Sequence, residues 1–123
     1  MDFNSLLIGS EDPQRLVDYY TLILGKPTFE DSGYSGWQIG TGFVTVGPHD
    51  EVHGKNAHPG RLLWNIESAD VPGDFERFKA AGATVVREPY NPGEPAGEGG
   101  LIATFSDPDD NYFQLMSPMG PEA

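Results

Sequence analysis

Hydrophobic and polar positions follow the same order in two parts of the chain. Residues 6–12 read LLIGSED and residues 64–70 read WNIESAD, so an isoleucine, a serine and an aspartate repeat at a constant offset of 58 residues. After each of these segments, apolar residues recur every three or four positions, which is the period of a helix with one buried face. The pattern predicts two related halves, each beginning with a strand and a helix.

The two predicted helices begin directly after the repeated aspartates. Asp12 and Asp70 suit the N-cap position, because an aspartate side chain accepts a hydrogen bond from the free amides of the first turn. Pro13 stands at the favoured first position of the first helix. Gly25 and Gly82 are expected to end the helices in the left-handed conformation, which glycine adopts without steric cost.

Eight strands are predicted around these helices, one before and three after each of them. They cover residues 3–9, 27–30, 36–39 and 43–46 in the first half, and residues 61–67, 84–87, 101–105 and 112–116 in the second. Each half therefore has the order β-α-β-β-β. Because one such half leaves a sheet face uncovered, we expect an α+β fold in which the two halves pair around a shared concave mixed sheet.

The expected organisation is a single domain made of two modules. Module one covers about residues 1–48, a linker loop about 48–60, and module two about 61–118 of the 123 residues. A second loop, at residues 88–100, is dominated by proline and glycine. Long loops inside a compact domain often bind ligands or cover a site.

A tight turn is predicted before the last strand, where residues 107–111 read DPDDN. Asp and Asn side chains bond to nearby amides, and proline fixes φ. We therefore assign Asp109 and Asp110 to the turn rather than to acid–base chemistry. Alternation along the strand that follows places Gln114 on the same face as Tyr112 and Met116.

Composition excludes several classes of function. Nineteen acidic residues against seven basic ones give a net charge of −12, which repels nucleic acids and anionic membranes. The same charge either attracts cationic ligands or only serves solubility. The chain has no cysteine, so disulfides and thiolate chemistry are excluded. No apolar run is long enough to span a membrane and no signal peptide is recognised, so we expect a cytoplasmic protein.

The three histidines all lie in the linker loop. His49, His53 and His58 are spaced by four and five residues, and a helix would bring the first two together. The glycines and the proline of this segment disfavour such a helix, so we interpret the histidines as solvated loop residues. His49 is the best candidate for a catalytic proton-transfer group, because a histidine side chain titrates near neutral pH.

Three segments resemble the vicinal oxygen chelate superfamily, which includes glyoxalase I, extradiol dioxygenases and bleomycin-resistance proteins. They read FNSLLIGSEDPQRLVDYYTLILG, LLWNIESADVPGDFERFKAAGATVV and ATFSDPDDNYFQLM, and together they cover most of the chain. The resemblance implies two paired β-α-β-β-β modules. It also implies a homodimer that binds its ligand in a groove shared between the subunits.

In metal-dependent members of this superfamily, four inward-facing strand positions carry histidine or glutamate ligands. The resemblance places Ser5, Thr45, Leu63 and Gln114 at these positions. Leucine offers no donor atom, the hydroxyls are weak ligands, and one amide carbonyl does not hold a divalent metal alone. We therefore expect neither the usual metal nor another cofactor.

Without charged ligands, the concave surface is expected to be a cavity of small polar and apolar groups. Alternation places Leu7, Phe43 and Asn65 beside the four positions above, and Trp37 and Phe105 are expected as aromatic walls. Trp64 is expected on the opposite side, under a helix. The predicted ligand-binding residues are Ser5, Leu7, Trp37, Phe43, Thr45, Leu63, Asn65, Phe105 and Gln114.

Two classes of function remain. The first is a metal-free small-molecule-binding protein that sequesters a drug or a metabolite, with a cationic ligand favoured by the net charge of −12. The alternative is a glyoxalase-like lyase or isomerase, or a dioxygenase-like oxidoreductase, with a non-standard active site or with His49 as proton-transfer group. A structural or regulatory partner protein is the third possibility, and no feature of the sequence favours it.

Overall fold

A computed structural model of the chain describes residues 1–92 and 100–118. Module one consists of β1 (Leu6–Ser10), α1 (Pro13–Leu24), β2 (Phe29–Asp31), β3 (Tyr34–Ile39) and β4 (Gly42–Pro48). Module two consists of β5 (Trp64–Glu67), α2 (Val71–Ala81), β6 (Thr84–Tyr90), β7 (Ile102–Ser106) and β8 (Tyr112–Met116). The predicted β-α-β-β-β order is confirmed in both halves.

Each module forms one mixed four-stranded sheet with the same topology. The strand order is β1-β4-β3-β2 in sheet one and β5-β8-β7-β6 in sheet two. The first strand of each module lies parallel to its last strand, and the other pairs are antiparallel. The expected concave mixed sheet therefore consists of two separate sheets within the described part of the chain.

The two modules share one hydrophobic core, which lies on the sheet faces that contact the helices. Val46 of β4 and Leu115 of β8 are buried on these faces. Two aromatic residues of α1 connect the modules, because the rings of Tyr19 and Tyr20 lie 6.3 and 5.5 Å from the ring of Phe113 in β8. We call the opposite face of each sheet its outer face.

The helix ends agree only in part with the predictions from sequence. Asp70 caps α2 by accepting a hydrogen bond of 3.1 Å from the amide of Gly73, and Gly82 ends that helix in the left-handed conformation. Asp12 occupies the predicted N-cap position of α1, but its side chain makes no capping hydrogen bond there. Gly25 has φ 90° and ψ −172°, which is a glycine conformation outside the predicted left-handed helical region.

The strand boundaries differ from the prediction mainly at the beginnings of the modules. Strands β1 and β5 begin at Leu6 and Trp64, so Ser5 and Leu63 precede them. Strand β6 extends to Tyr90, into the segment predicted as a loop. Residues 93–99 of that predicted loop lie outside the described residues. Within residues 1–92 and 100–118, no helix is long and apolar enough to cross a membrane.

The turn at residues 107–111, which we call the corner, also joins the two modules. Asp109 accepts a hydrogen bond of 2.6 Å from the hydroxyl of Ser10 and forms an ion pair with Arg15. Asp107 accepts a bond of 2.7 Å from the hydroxyl of Tyr20. Asp109 was assigned only to the turn, and the structure adds this second role.

Burial changes the acid–base behaviour of the groups at the corner. It raises the pKa of Asp107, although hydrogen bonds from Asn111 and Tyr20 act in the opposite direction. Burial also raises the pKa of Tyr20, and it raises the pKa of Tyr19 to about 12. Both tyrosines are therefore neutral hydrogen-bond donors at physiological pH.

Candidate functional site

A groove with a volume of about 720 Å³ opens between the β3–β4 turn and strand β5. Both modules contribute to its lining. Phe3, Ile39 and Phe43 come from module one, and Leu63, Asn65, Ile66 and Glu67 from module two. The groove is therefore mainly apolar, with one amide and one carboxylate on the side of β5. It brings together three of the predicted ligand-binding residues, Phe43, Leu63 and Asn65.

An aromatic pair lies next to this groove on the outer face of sheet one. The rings of Phe29 and Phe43 are stacked, with centroids 5.4 Å apart and an angle of 19° between their planes. Gly36 lies beneath both rings, and a Cβ atom there would lie 2.8 Å from the ring of Phe43. Sequence reasoning missed Phe29 and Gly36. A glycine at the start of a predicted strand was the available signal, because glycine in a strand often marks a close approach.

Leu7 and Thr45 also lie on the outer face of sheet one, as predicted from alternation. They are register partners in the β1–β4 ladder, and Thr45 is in turn paired with Gly36 of β3. Leu7 is about half exposed. This face therefore combines a hydroxyl with aliphatic and aromatic surface.

The outer face of sheet two is more polar. Gln114 donates a hydrogen bond of 2.9 Å from Nε2 to Oγ1 of Thr104, and its register partner on β5 is Asn65. In the part of the chain that the structure describes, Oε1 of Gln114 accepts no hydrogen bond. Thr104 was not predicted as a site residue. Its involvement depends on the β7–β8 register, which the sequence of β7 does not reveal.

Trp37 and Phe105 do not lie on an outer face, so their prediction as cavity walls is wrong. Trp37 is only 2% exposed and donates a hydrogen bond of 2.8 Å to the carbonyl of Gly25. Phe105 is fully buried and stacks on Phe113. Both are paired in register with residues of the helix-facing side. The ring of Trp64 lies 6.0 Å from the ring of Tyr20 in α1, in line with its predicted place under a helix, but Trp64 also lines the groove.

The three histidines do not converge on the groove. Nδ1 of His49 accepts a hydrogen bond of 3.2 Å from the amide of Glu51, and the side chain packs against Gly9. His53 lines a different, smaller pocket in the linker loop. The amide of His58 donates to the side chain of Asn56. Among residues 1–92 and 100–118, no group of three or more His, Asp or Glu residues could hold a metal.

The residues at the four positions that the resemblance assigns to metal ligands do not fit a divalent metal. Ser5 and Thr45 offer only hydroxyls, and Leu63 offers no donor atom. The amide of Gln114 is oriented by its bond to Thr104. A neutral carbonyl and two hydroxyls do not replace the imidazoles and carboxylates that such metals require.

Two β-α-β-β-β modules with open outer faces define the fold class of glyoxalases, bleomycin-resistance proteins and dioxygenases, the vicinal oxygen chelate fold. Residues 5–116 match the family model described as a glyoxalase-like domain, and the chain belongs to this family. The resemblance drawn from the sequence is thereby confirmed. A comparison with curated proteins gives no match.

Solved structures with the same fold cover nearly the whole chain. A glyoxalase/bleomycin resistance protein/dioxygenase from Alicyclobacillus acidocaldarius is 16% identical, with a TM-score of 0.75 and coverage of 98% of this chain and 94% of that one. The antibiotic-binding protein TnmS3 from Streptomyces sp. CB03234 is 21% identical, with a TM-score of 0.71 and coverage of 97% and 98%. A glyoxalase-related enzyme from Fulvimarina pelagi is 19% identical, with a TM-score of 0.70 and coverage of 100% and 96%.

Proposed function

We propose that the chain binds a small organic molecule in the groove and on the adjoining outer faces, and that it does so without a metal. The observation that carries this proposal is the groove of about 720 Å³, which is large enough for a drug-sized ligand. The fold of the antibiotic-binding protein TnmS3 supports it, because the two chains share one architecture. Sequestration of a drug or a metabolite is the corresponding role.

The ligand is expected to contain a planar aromatic part. Phe29 and Phe43 offer a stacked aromatic surface at the groove, and Phe29 is 38% exposed. Stacking on such a surface adds to the free energy of apolar burial. Asn65 is exposed, and Oε1 of Gln114 is an available acceptor, so these two amides are suited to orient polar groups of the ligand.

Binding without a metal follows from the donor chemistry of the four superfamily positions. Leu63 removes one ligand entirely, and Gln114 replaces a carboxylate by a neutral amide. Any affinity for a divalent metal would depend on two hydroxyls and one carbonyl, which is a poor donor set. Recognition therefore relies on shape, apolar contact and hydrogen bonds.

We further propose a cytoplasmic homodimer. Phe3 and Leu62 are 85% and 80% exposed, and Phe3 lines the groove, so a second subunit would cover apolar surface there. The net charge of −12 would by itself favour a cationic ligand. Sedimentation at increasing protein concentration tests the dimer, and a monomer at every concentration would contradict it.

An NMR titration with biphenylcarboxamide, a neutral planar probe, tests the proposed site. We expect saturable shifts of the side-chain amides of Asn65 and Gln114 and of the backbone of Phe43. The matched control is the side-chain amide of Asn56, which lies in the linker pocket. Shifts confined to the linker, or no saturable shifts, would contradict the proposal.

The family description also raises a catalytic function, and the fold of a glyoxalase-related enzyme is similar. A glyoxalase-like or dioxygenase-like activity would need substitutes for the missing metal ligands. His49, the candidate from sequence, lies in the linker rather than in the lining of the groove. Turnover of the methylglyoxal–glutathione adduct that Gln114→Ala abolishes would favour the enzyme over the binding protein.

A further inference from the structure

Four polar residues form one line across the outer face of sheet two. Asn65 of β5 is paired with Gln114 of β8, Gln114 with Thr104 of β7, and Thr104 with Arg87 of β6. We call this line the polar rung. Since neighbouring strands lie about 4.8 Å apart, the rung extends about 14 Å from the groove to the far edge of the sheet.

Two irregularities in β6 place Arg87 and Tyr90 on the outer face. Val85 is paired with Phe105 on the core side, whereas Arg87 is paired with Thr104 on the outer side. In a regular strand, residues two apart share a face, so the register shift between them turns Arg87 outward. A second shift follows before Tyr90. Such bulges often redirect side chains next to functional sites.

As a result, Arg87 and Tyr90 lie on the same face and stack on each other. The guanidinium carbon of Arg87 lies 3.4 Å from the centroid of the Tyr90 ring. Stacking fixes the plane of the guanidinium and leaves its N–H groups available in that plane. Although the chain has 19 acidic residues, Arg87 forms no ion pair with the residues that the structure describes.

The rung beside the polar one offers a place for the apolar body of a ligand. It consists of Glu67, Met116, Ile102 and Tyr90, again one residue from each strand. Met116 and Ile102 are half-buried and lie between the two polar ends. Glu67 is at the groove, three strands away from Tyr90, so the carboxylate and the guanidinium lie at opposite ends of the sheet.

We propose that Arg87, held by Tyr90, binds a carboxylate of the ligand at the far end of the polar rung. This inference rests on the proposed small-molecule-binding function and specifies its ligand class. A carboxylate is the group that a planar guanidinium binds through two parallel hydrogen bonds. The net charge of −12 repels a bound anion only weakly, since salt screens the charges that lie more than about 8 Å away from it.

Calorimetric titrations with three probes of one shape test the proposal. Biphenylcarboxylate, biphenylcarboxamide and biphenylmethylammonium are anionic, neutral and cationic, respectively. We expect the carboxylate to bind about tenfold more tightly than the amide, as for one charge-assisted contact. Arg87→Gln should remove that preference, so that the carboxylate and the amide bind the variant with equal affinity. Lys79→Gln, which removes the same charge from helix α2 on the opposite face, should retain it.

Equal affinity of the unaltered protein for carboxylate and amide would overturn the role of Arg87, while the proposed binding function would stand. Tighter binding of the ammonium probe would overturn it as well and would support the cationic ligand expected from the net charge. A carboxylate preference that survives Arg87→Gln would place the anion elsewhere and contradict the inference. If none of the probes binds, both the inference and the proposed site fail.

Discussion

At the scale of single residues, Gln114 is a neutral amide at a position where the resemblance to metal-dependent members of the superfamily predicts a carboxylate. Its amide donates a hydrogen bond to Oγ1 of Thr104. A carboxylate at this position could not donate that hydrogen bond. The neutral amide therefore fits the proposed recognition of a ligand through hydrogen bonds.

The environment of Asp107 makes the stability of the fold depend on pH. Burial raises its pKa, so the folded state retains the proton to a higher pH than the unfolded chain does. This group's contribution to stability is fully present below the unfolded pKa and is lost as pH rises through the folded pKa.

Asp107→Asn tests this dependence, because the variant lacks the titrating group. The free energy of unfolding of the unaltered protein, minus that of the variant, should be largest at acidic pH. It should decrease as pH rises through the folded pKa of Asp107. Denaturant unfolding at several pH values measures it, and a difference that grows with pH would contradict the assignment.

At the scale of elements, the aromatic pair of sheet one depends on the absence of a side chain at Gly36. A Cβ atom there would overlap with Phe29 and approach the ring of Phe43 to 2.8 Å. Gly36→Ala should therefore displace the pair, destabilise the fold by about 1–3 kcal/mol, and weaken binding of biphenylcarboxamide.

Gly60→Ala is the matched control for this substitution, since a Cβ atom there has no neighbour within 4 Å. It should leave both stability and binding close to those of the unaltered protein. Thermal unfolding and calorimetric titration of the two variants make the comparison. Equal stability and equal binding of Gly36→Ala and Gly60→Ala would show that neither the fold nor the binding of biphenylcarboxamide needs the aromatic pair.

The order of elements could be predicted from the sequence, but the faces of some strands could not. The repeat around Ile8 and Ile66 and the helical periodicity are local signals, and they gave the β-α-β-β-β order. The side on which Trp37 and Phe105 lie depends on strand register, which non-local pairing determines. For the same reason the bulges that place Arg87 in the polar rung were not predicted, although β6 itself was.

At the scale of the whole molecule, the corner at residues 107–111 holds the modules together. Asp109 bonds to Ser10 and Arg15 of module one while it belongs to module two. Its side chain is buried, and asparagine would replace one of its two acceptor oxygens by an N–H₂ group, so that Ser10 or Arg15 would lose its acceptor. Asp109→Asn should lower the free energy of unfolding by about 1.5–3 kcal/mol.

Asp110→Asn provides the comparison, because it makes the same change in charge at the neighbouring residue of the corner. Asparagine tolerates the positive φ of 64° found there. We expect little change in the midpoint of denaturant unfolding for Asp110→Asn and a clear decrease for Asp109→Asn. Equal effects would mean that the contacts with module one do not stabilise the fold.

The duplicated fold has two outer faces of different character. Sheet one offers stacked aromatic surface above Gly36, and sheet two offers the polar rung that ends at Arg87. The groove lies where β5 approaches the β3–β4 turn. Divergence of the two halves therefore provides both the apolar and the polar part of the proposed site.

We propose that this site binds a small organic ligand without a metal. Calorimetry tests this proposal when the protein is titrated with biphenylcarboxamide after dialysis against a chelator, and again after addition of nickel or zinc. We expect saturable binding with the same affinity in all these states. Binding that disappears with the chelator and returns with the metal would contradict it.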